Sequence, residues 1–151
     1  MSNEANKTIV RRWYEEFWNA GKLEVADELL HPDYVFTPEY VAGAPSVAAC
    51  KEGNAIWHQI LPDIHFTIED MVAEGDTVVA RWTAHGTHRG DWETQIGTLP
   101  ASGKPTATSG TSSFSLRDGK IIRDVNHIQC ENLMAQIGAH VAPRTTAASS
   151  S

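Results

Sequence analysis

The hydrophobic pattern of this chain changes from helical to extended spacing at Pro62. Before that residue, apolar side chains recur at the spacing of amphipathic helices, which predicts helices over about 4–20, 23–30 and 45–62, with a short strand at 34–36. Beyond it, alternation and turn residues predict strands at 64–73, 77–87, 104–117 and 120–129, and a long connecting loop at 90–103. A closing helical turn is expected at 131–137. Helices followed by an antiparallel meander indicate the α+β class.

Strand parity predicts which side chains face the helices, because alternate residues of a strand point to opposite faces. In the second long strand the small or apolar set is placed inside: Val78, Ala80, Trp82, Ala84, Gly86 and His88. In the next strand the inward set is Ser112, Phe114 and Leu116. The last strand leaves two alternatives for the inward face. One is the set Ile122, Asp124, Asn126 and Ile128, and the other is the set of alternate residues. A curved sheet with helices on one side makes a cone that encloses a pocket.

The composition argues against several classes of partner. The chain carries 19 acidic and 12 basic residues, a net charge of -7, and an acidic domain repels phosphate backbones, so no nucleic acid is expected. No apolar run approaches the roughly 20 residues that cross a bilayer, and the N-terminus lacks a signal-peptide core, so no membrane is expected. With two cysteines and no signal, a cytoplasmic location is expected. Residues 1–142 are predicted to form one domain, and 143–151 a disordered tail.

A series of short motifs runs along residues 7–138. They are Asn19-Ala20-Gly21, His31-Pro32-Asp33-Tyr34, Leu61-Pro62-Asp63, Glu74-Gly75-Asp76, Val79-Ala80-Arg81-Trp82-Thr83, Gly86-Thr87-His88-Arg89-Gly90, residues 99–104, Asp118-Gly119-Lys120-Ile121 and Gln136-Ile137-Gly138. In order and spacing they resemble the SnoaL-like polyketide cyclase family of the nuclear transport factor 2-like superfamily. The resemblance implies a cone-shaped curved antiparallel sheet with three N-terminal helices enclosing a hydrophobic pocket. It also implies a homodimer and cofactor-independent acid–base chemistry on a hydrophobic carbonyl or polyene substrate.

The sequence departs from the cyclase pattern at two positions. The resemblance places the proton-removing carboxylate of the last strand at Asn126, and a histidine of the preceding strand at Ser112. An amide is not a general base near neutral pH, so the usual aldol-cyclase pair is absent. Asp124 lies two residues from Asn126 on the same strand face, and an apolar pocket would raise its pKa toward the range that suits proton transfer. The alternative is a rim aspartate paired with Arg123 or Arg81.

Asn126 and His88 complete the predicted catalytic set. Asn126 would orient a carbonyl or stabilise an enolate oxygen, or else be a buried amide bonded to the backbone. His88 would be a general acid or base at the pocket mouth, or else a capped histidine of the following loop. The predicted substrate-binding residues are Tyr14, Tyr34, Glu39, Asn54, Trp57, Trp82 and Ser112. Core packing is the alternative for the aromatic residues, and a protein, water or ligand partner is needed for Asn54.

Three functions remain open. The first is a cyclase, isomerase or dehydratase acting on a hydrophobic, oxygenated polyketide or terpenoid intermediate. The second is a hydrolase resembling limonene epoxide hydrolase, in which Asp124 and Asn126 would hold a water molecule. The third is a non-catalytic ligand-binding or association domain, which the two missing cyclase residues favour. The sequence contains no phosphate-binding loop, nucleophile elbow or tight histidine cluster, so neither a cofactor nor a metal is expected.

Overall fold

Helices and strands separate along the chain as the change of periodicity predicts. The computed structural model describes residues 2–37, 46–94, 97–128 and 136. The helices are α1 (Asn3–Arg12), a π-helix (Trp13–Asn19), α2 (Val25–Leu29) and α3 (Val47–Ile60). The strands are β1 (Leu30–Thr37), β2 (His65–Glu74), β3 (Thr77–Thr87), β4 (Trp92–Thr94), β5 (Gly97–Leu99), β6 (Pro105–Arg117) and β7 (Lys120–Ile128). The fold is α+β, as predicted.

The first predicted helix is continuous, but its second half is a π-helix. The end of a helix leaves backbone carbonyls without helical partners, and side chains of α3 satisfy two of them. Asn54 Nδ2 donates to the Phe17 carbonyl at 2.9 Å, and His58 Nε2 lies 2.8 Å from the Trp18 carbonyl. Because these two α3 residues are four positions apart, they lie on one helix face. They fix the π-helix against α3.

The main sheet has five strands in the order β1-β7-β6-β3-β2. β1 pairs with β7 in parallel, and the other neighbours are antiparallel. The predicted inner face of β3 is confirmed, since Val78, Ala80, Trp82 and Ala84 are buried whereas the intervening Arg81 is exposed. The helices cover this face, and their aromatic side chains pack against it to form the core.

A β-bulge in β7 determines which of its residues face the core. The register with β6 shifts between Ile121 and Arg123, so that Ile122 is the extra residue. An extra residue reverses the alternation of faces along the strand. Ile121 is therefore fully buried below the bulge, and Asp124 is buried above it. Strand parity left two alternatives for the inner face of β7. The buried face takes Ile121 from one of these sets and Asp124 from the other.

One prediction about the connections is wrong. Residues 90–103 were expected to form a loop without strands, but β4 and β5 pair there as a small antiparallel hairpin. Strands of three residues are too short to show a hydrophobic period. Trp92 of β4 is buried and its ring centroid lies 5.3 Å from that of Trp57, so this hairpin packs on α3.

Some predictions concern parts of the chain outside the described residues. Apart from Gln136, the expected closing helical turn at 131–137 lies there, as do the tail at 143–151 and the candidate residue Glu39. Within the described ranges, no helix is long and apolar enough to cross a membrane.

Candidate active site

A cavity of about 130 Å³ lies between the helices and the inner face of the sheet. One wall is aromatic and comprises Trp13, Tyr14, Trp18, Tyr34, Trp57, Phe66 and Trp82. Polar side chains of the two strands β6 and β7 form another part of the lining and comprise Thr106, Thr108, Ser112, Asp124 and Asn126. An apolar enclosure with a few convergent polar groups is the usual form of a small-molecule site.

Asp124 is a buried carboxylic acid at the edge of this cavity, only 5% exposed. The Tyr34 hydroxyl donates to its Oδ2 at 3.2 Å. Oδ1 has no hydrogen-bond partner among the residues that the structure describes. Burial raises the pKa of Asp124 to about 7 because the charged form loses its hydration. The Tyr34 hydroxyl and the nearby Asn126 amide lower the pKa less than burial raises it, and the amide makes no well-formed hydrogen bond to the carboxylate.

A chain of hydrogen bonds orients Asn126 beside this carboxyl group. Ser112 and Asn126 are opposite one another in the β6–β7 register. Trp82 Nε1 donates to Ser112 Oγ at 2.9 Å, and Ser112 Oγ donates to Asn126 Oδ1. Because the amide oxygen is engaged in this way, the Asn126 nitrogen is the group left to donate a hydrogen bond. The chain thus presents an N–H donor next to the Asp124 carboxyl.

The position of Trp82 in this chain depends on a glycine on the neighbouring strand. Gly110 is the register partner of Trp82, and a Cβ at this position would lie 2.4 Å from Trp82 Cζ2. Only glycine leaves space for the indole ring to lie across β6. The glycine therefore contributes to the placement of the donor chain.

Three further hydroxyl and thiol groups around Asp124 remain neutral at physiological pH. Burial, followed by the nearby Asp124 charge, raises the pKa of both Tyr14 and Tyr34 well above the usual tyrosine value. Burial likewise raises the pKa of the Cys50 thiol to about 12. These groups are therefore uncharged hydrogen-bond donors, and they leave Asp124 as the group in the cavity whose protonation changes near neutral pH.

Most of the predicted site residues lie around the cavity. Its lining includes Tyr14, Tyr34, Trp57, Trp82, Ser112, Asp124 and Asn126. Asn54 is not part of the lining, because its amide bonds the Phe17 carbonyl. The partner of the Asn54 amide is therefore a protein group, which is one of the three kinds of partner (protein, water or ligand) that the sequence left open.

His88 also lies away from the cavity lining. It is 1% exposed, and its Nδ1 is 2.9 Å from Ser102 Oγ and accepts the Ser102 N–H at 3.2 Å. This contact ties the end of β3 to the segment before β6. The structure thus places His88 in the alternative role, that of a loop histidine.

Sequence reasoning missed other residues of the lining, including Thr106 and Thr108. Both have the same parity on β6 as Ser112, so extending the inward set along the strand would have found them. Among the described residues, no group of three or more His, Cys, Asp or Glu side chains is arranged to hold a metal ion.

Comparison with known proteins identifies the family. The family model described as SnoaL-like polyketide cyclase matches residues 8–137. IdmH from Streptomyces antibioticus is 27% identical, with 89% of this chain and 99% of IdmH covered and a TM-score of 0.75. AclR from Streptomyces galilaeus is 20% identical, with 99% and 96% covered and a TM-score of 0.80. A protein of ketosteroid isomerase-like fold from Catenulispora acidiphila is 17% identical, with 89% and 97% covered and a TM-score of 0.72. No curated protein matches. On the family match, this chain belongs to the SnoaL-like polyketide cyclases.

Proposed function

We propose that this protein is a cofactor-independent enzyme that moves a proton next to a carbonyl group of a hydrophobic, oxygenated small molecule. A polyketide or terpenoid intermediate fits this description. The observation that carries the proposal is Asp124, a buried carboxyl group with a pKa of about 7 and an unpartnered oxygen at an apolar cavity. The relative IdmH has been proposed to be a polyketide cyclase.

The proposed first step is removal of a proton from the carbon beside the carbonyl. Asp124, in its carboxylate form, accepts that proton on Oδ1, and the electron pair of the C–H bond moves to the carbonyl oxygen to give an enolate. A base whose pKa lies near the working pH is efficient, because it is substantially ionised and still binds a proton well. Tyr34 holds Oδ2, which leaves Oδ1 for the substrate.

The proposed enolate needs a hydrogen-bond donor for its oxygen. Asn126 supplies one, since its amide oxygen is held by Ser112 and its nitrogen remains to donate. A donor fixed in place before the reaction stabilises developing charge without reorganisation. The aromatic wall lowers the polarity around this donor, which strengthens the interaction.

The enolate then has three fates, each balanced without a cofactor. Return of the proton from Asp124 to another carbon is isomerisation, loss of hydroxide with a proton is dehydration, and attack on a second carbonyl carbon is cyclisation. In each, the proton taken by Asp124 is returned to the product or to the leaving oxygen. The residues described here support the common first step.

The test is incubation of the purified protein with a panel of polyketide and terpenoid carbonyl compounds and epoxides, analysed by mass and retention time. For a compound that is converted, Asp124→Asn is expected to reduce the rate at least 100-fold, as for loss of a general base. The matched control is Asp63→Asn, because Asp63 lies outside the cavity lining and bonds Thr87. Full activity of the Asp124→Asn variant would refute the proposed role of Asp124.

Two other outcomes identify the remaining functions. Epoxide conversion with incorporation of ¹⁸O from labelled water would support the hydrolase. Binding without conversion of any compound in the panel would support the ligand-binding domain and contradict the proposed enzyme.

A further inference from the structure

Two threonines on the inner face of β6 differ in whether their hydroxyl groups have a hydrogen-bond partner. Thr106 and Thr108 are both buried, at 6% and 7% exposure, and both line the cavity. Thr106 Oγ1 donates to the Gly86 carbonyl at 2.8 Å. Thr108 Oγ1 is buried with no partner in the part of the chain that the structure describes. The Thr108 hydroxyl is therefore a polar group at the cavity that the protein does not satisfy.

An unsatisfied buried hydroxyl is unusual, because it loses its hydration without gaining a hydrogen bond. Valine has nearly the same shape and would build the same wall without this cost. A hydroxyl kept at such a place has a use if a ligand molecule supplies the missing bond.

Thr108 lies at a distance from the Asp124 site along β6. Ser112, the partner of Asn126, is four residues further on, which is about 13 Å between Cα atoms at a strand rise of about 3.3 Å per residue. Between them on the cavity side are Gly110, which has no side chain, and the indole of its register partner Trp82. The cavity thus has two polar ends separated by an apolar middle.

From this arrangement we infer that Thr108 binds a second oxygen of the substrate, at the end opposite to the carbonyl that reacts. The inference rests on the proposed function for the identity of the reacting end. It specifies the substrate class as an apolar skeleton with oxygen functions at both ends. Thr108 is then a specificity-determining residue, which holds the substrate in one of its two possible orientations.

The test uses two matched variants, Thr108→Val and Thr106→Val, and two probe ligands. The probes are 4-(4-hydroxyphenyl)cyclohexanone and its parent 4-phenylcyclohexanone, which differ only in the distal hydroxyl. Dissociation constants are measured by quenching of tryptophan fluorescence, since Trp13, Trp18, Trp57 and Trp82 line the cavity. Thermal midpoints without ligand are measured for the same proteins.

The wild-type protein is expected to bind the hydroxylated ketone roughly three- to tenfold more tightly than the parent, as for one net hydrogen bond. In Thr108→Val this ratio falls to about one, and the thermal midpoint stays the same or rises because an unsatisfied hydroxyl has been removed. In Thr106→Val the ratio is retained, but the midpoint falls because the hydrogen bond from the Thr106 hydroxyl to the Gly86 carbonyl is lost.

The inference is overturned if the wild type does not prefer the hydroxylated ketone, including the case in which it binds neither probe. It is also overturned if Thr108→Val keeps the preference, or lowers the midpoint as far as Thr106→Val does. Binding and melting need no turnover, so a protein that binds as expected but converts nothing would count against the proposed function alone.

Discussion

Replacement of Asp124 by asparagine is expected to stabilise the protein, and by more at pH 8 than at pH 5. Asparagine has the shape of the protonated acid and can still accept the hydrogen bond from Tyr34 that Asp124 accepts. It cannot ionise, so the variant avoids the cost of a charge buried in the cavity wall. A catalytic group held at the expense of stability would behave in this way.

The size of the effect follows from the two pKa values. The carboxyl of Asp124 has an ordinary pKa of 3.8 and a folded-state pKa of about 7. Below about pH 4 both folded and unfolded states are protonated, and the cost is absent. Between the two values the unfolded chain releases the proton that the folded protein retains, so stability falls as pH rises. At about 1.36 kcal/mol for each pH unit, the whole loss is about 4 kcal/mol, of which about 2.5 kcal/mol falls between pH 5 and 8.

The assay is urea unfolding of the wild type and the Asp124→Asn variant at pH 5, 6.5 and 8, followed by tryptophan fluorescence. The control variant is Asp63→Asn. The Thr87 backbone N–H donates to Asp63 at 2.6 Å, and this contact lowers the Asp63 pKa. Asp63 is therefore ionised in both states from pH 5 to 8, and its replacement shifts stability by the same amount throughout. A difference between wild type and Asp124→Asn that does not change with pH would refute this account of Asp124.

Two further substitutions test the parts that support the site. Gly110→Ala is expected to displace Trp82, whose ring would lie 2.4 Å from the new Cβ, and to lower the free energy of unfolding by about 1–3 kcal/mol, measured in urea with a shift in tryptophan emission. An unchanged emission maximum and stability would show that the ring has room. Asn54→Ala leaves the Phe17 carbonyl without its side-chain donor and is expected to cost about 1–3 kcal/mol in the same assay. A stability loss below about 0.5 kcal/mol would show that the π-helix does not depend on this bond.

The sheet was the most predictable part of the structure. The boundaries of β3 match the prediction, and its inner face is the one that parity selects, because an antiparallel strand with one buried face alternates regularly. The two faces of β7 could not be separated, because the decision depends on a one-residue bulge at Ile122. A bulge is a property of strand pairing, and a single strand's composition does not specify it.

The site was predictable in its residue types more than in its connections. The family resemblance pointed to Asn126, and strand parity added Asp124 because it lies two residues away on the same strand face. The bond from Tyr34 to Asp124 joins residues 90 positions apart, and only the parallel pairing of β1 with β7 brings these strands together. His88 was expected to continue the inner face of β3, but β3 ends at Thr87, and the contact of His88 with Ser102 depends on the conformation of the following loop. Loop conformation has no periodic signal in the sequence.

The most direct test of the central claim is exchange of the α-hydrogens of 4-phenylcyclohexanone for deuterium in D₂O, followed by mass spectrometry. The account predicts that the wild type catalyses this exchange, with a rate that rises to a plateau through a pH of about 7, where Asp124 becomes a carboxylate. Asp124→Asn should lower the rate to that of the buffer alone, whereas Asp63→Asn should leave it unchanged. Exchange at the wild-type rate in Asp124→Asn, or no exchange at any pH by a protein that binds the ketone, would contradict the assignment of Asp124 as the base.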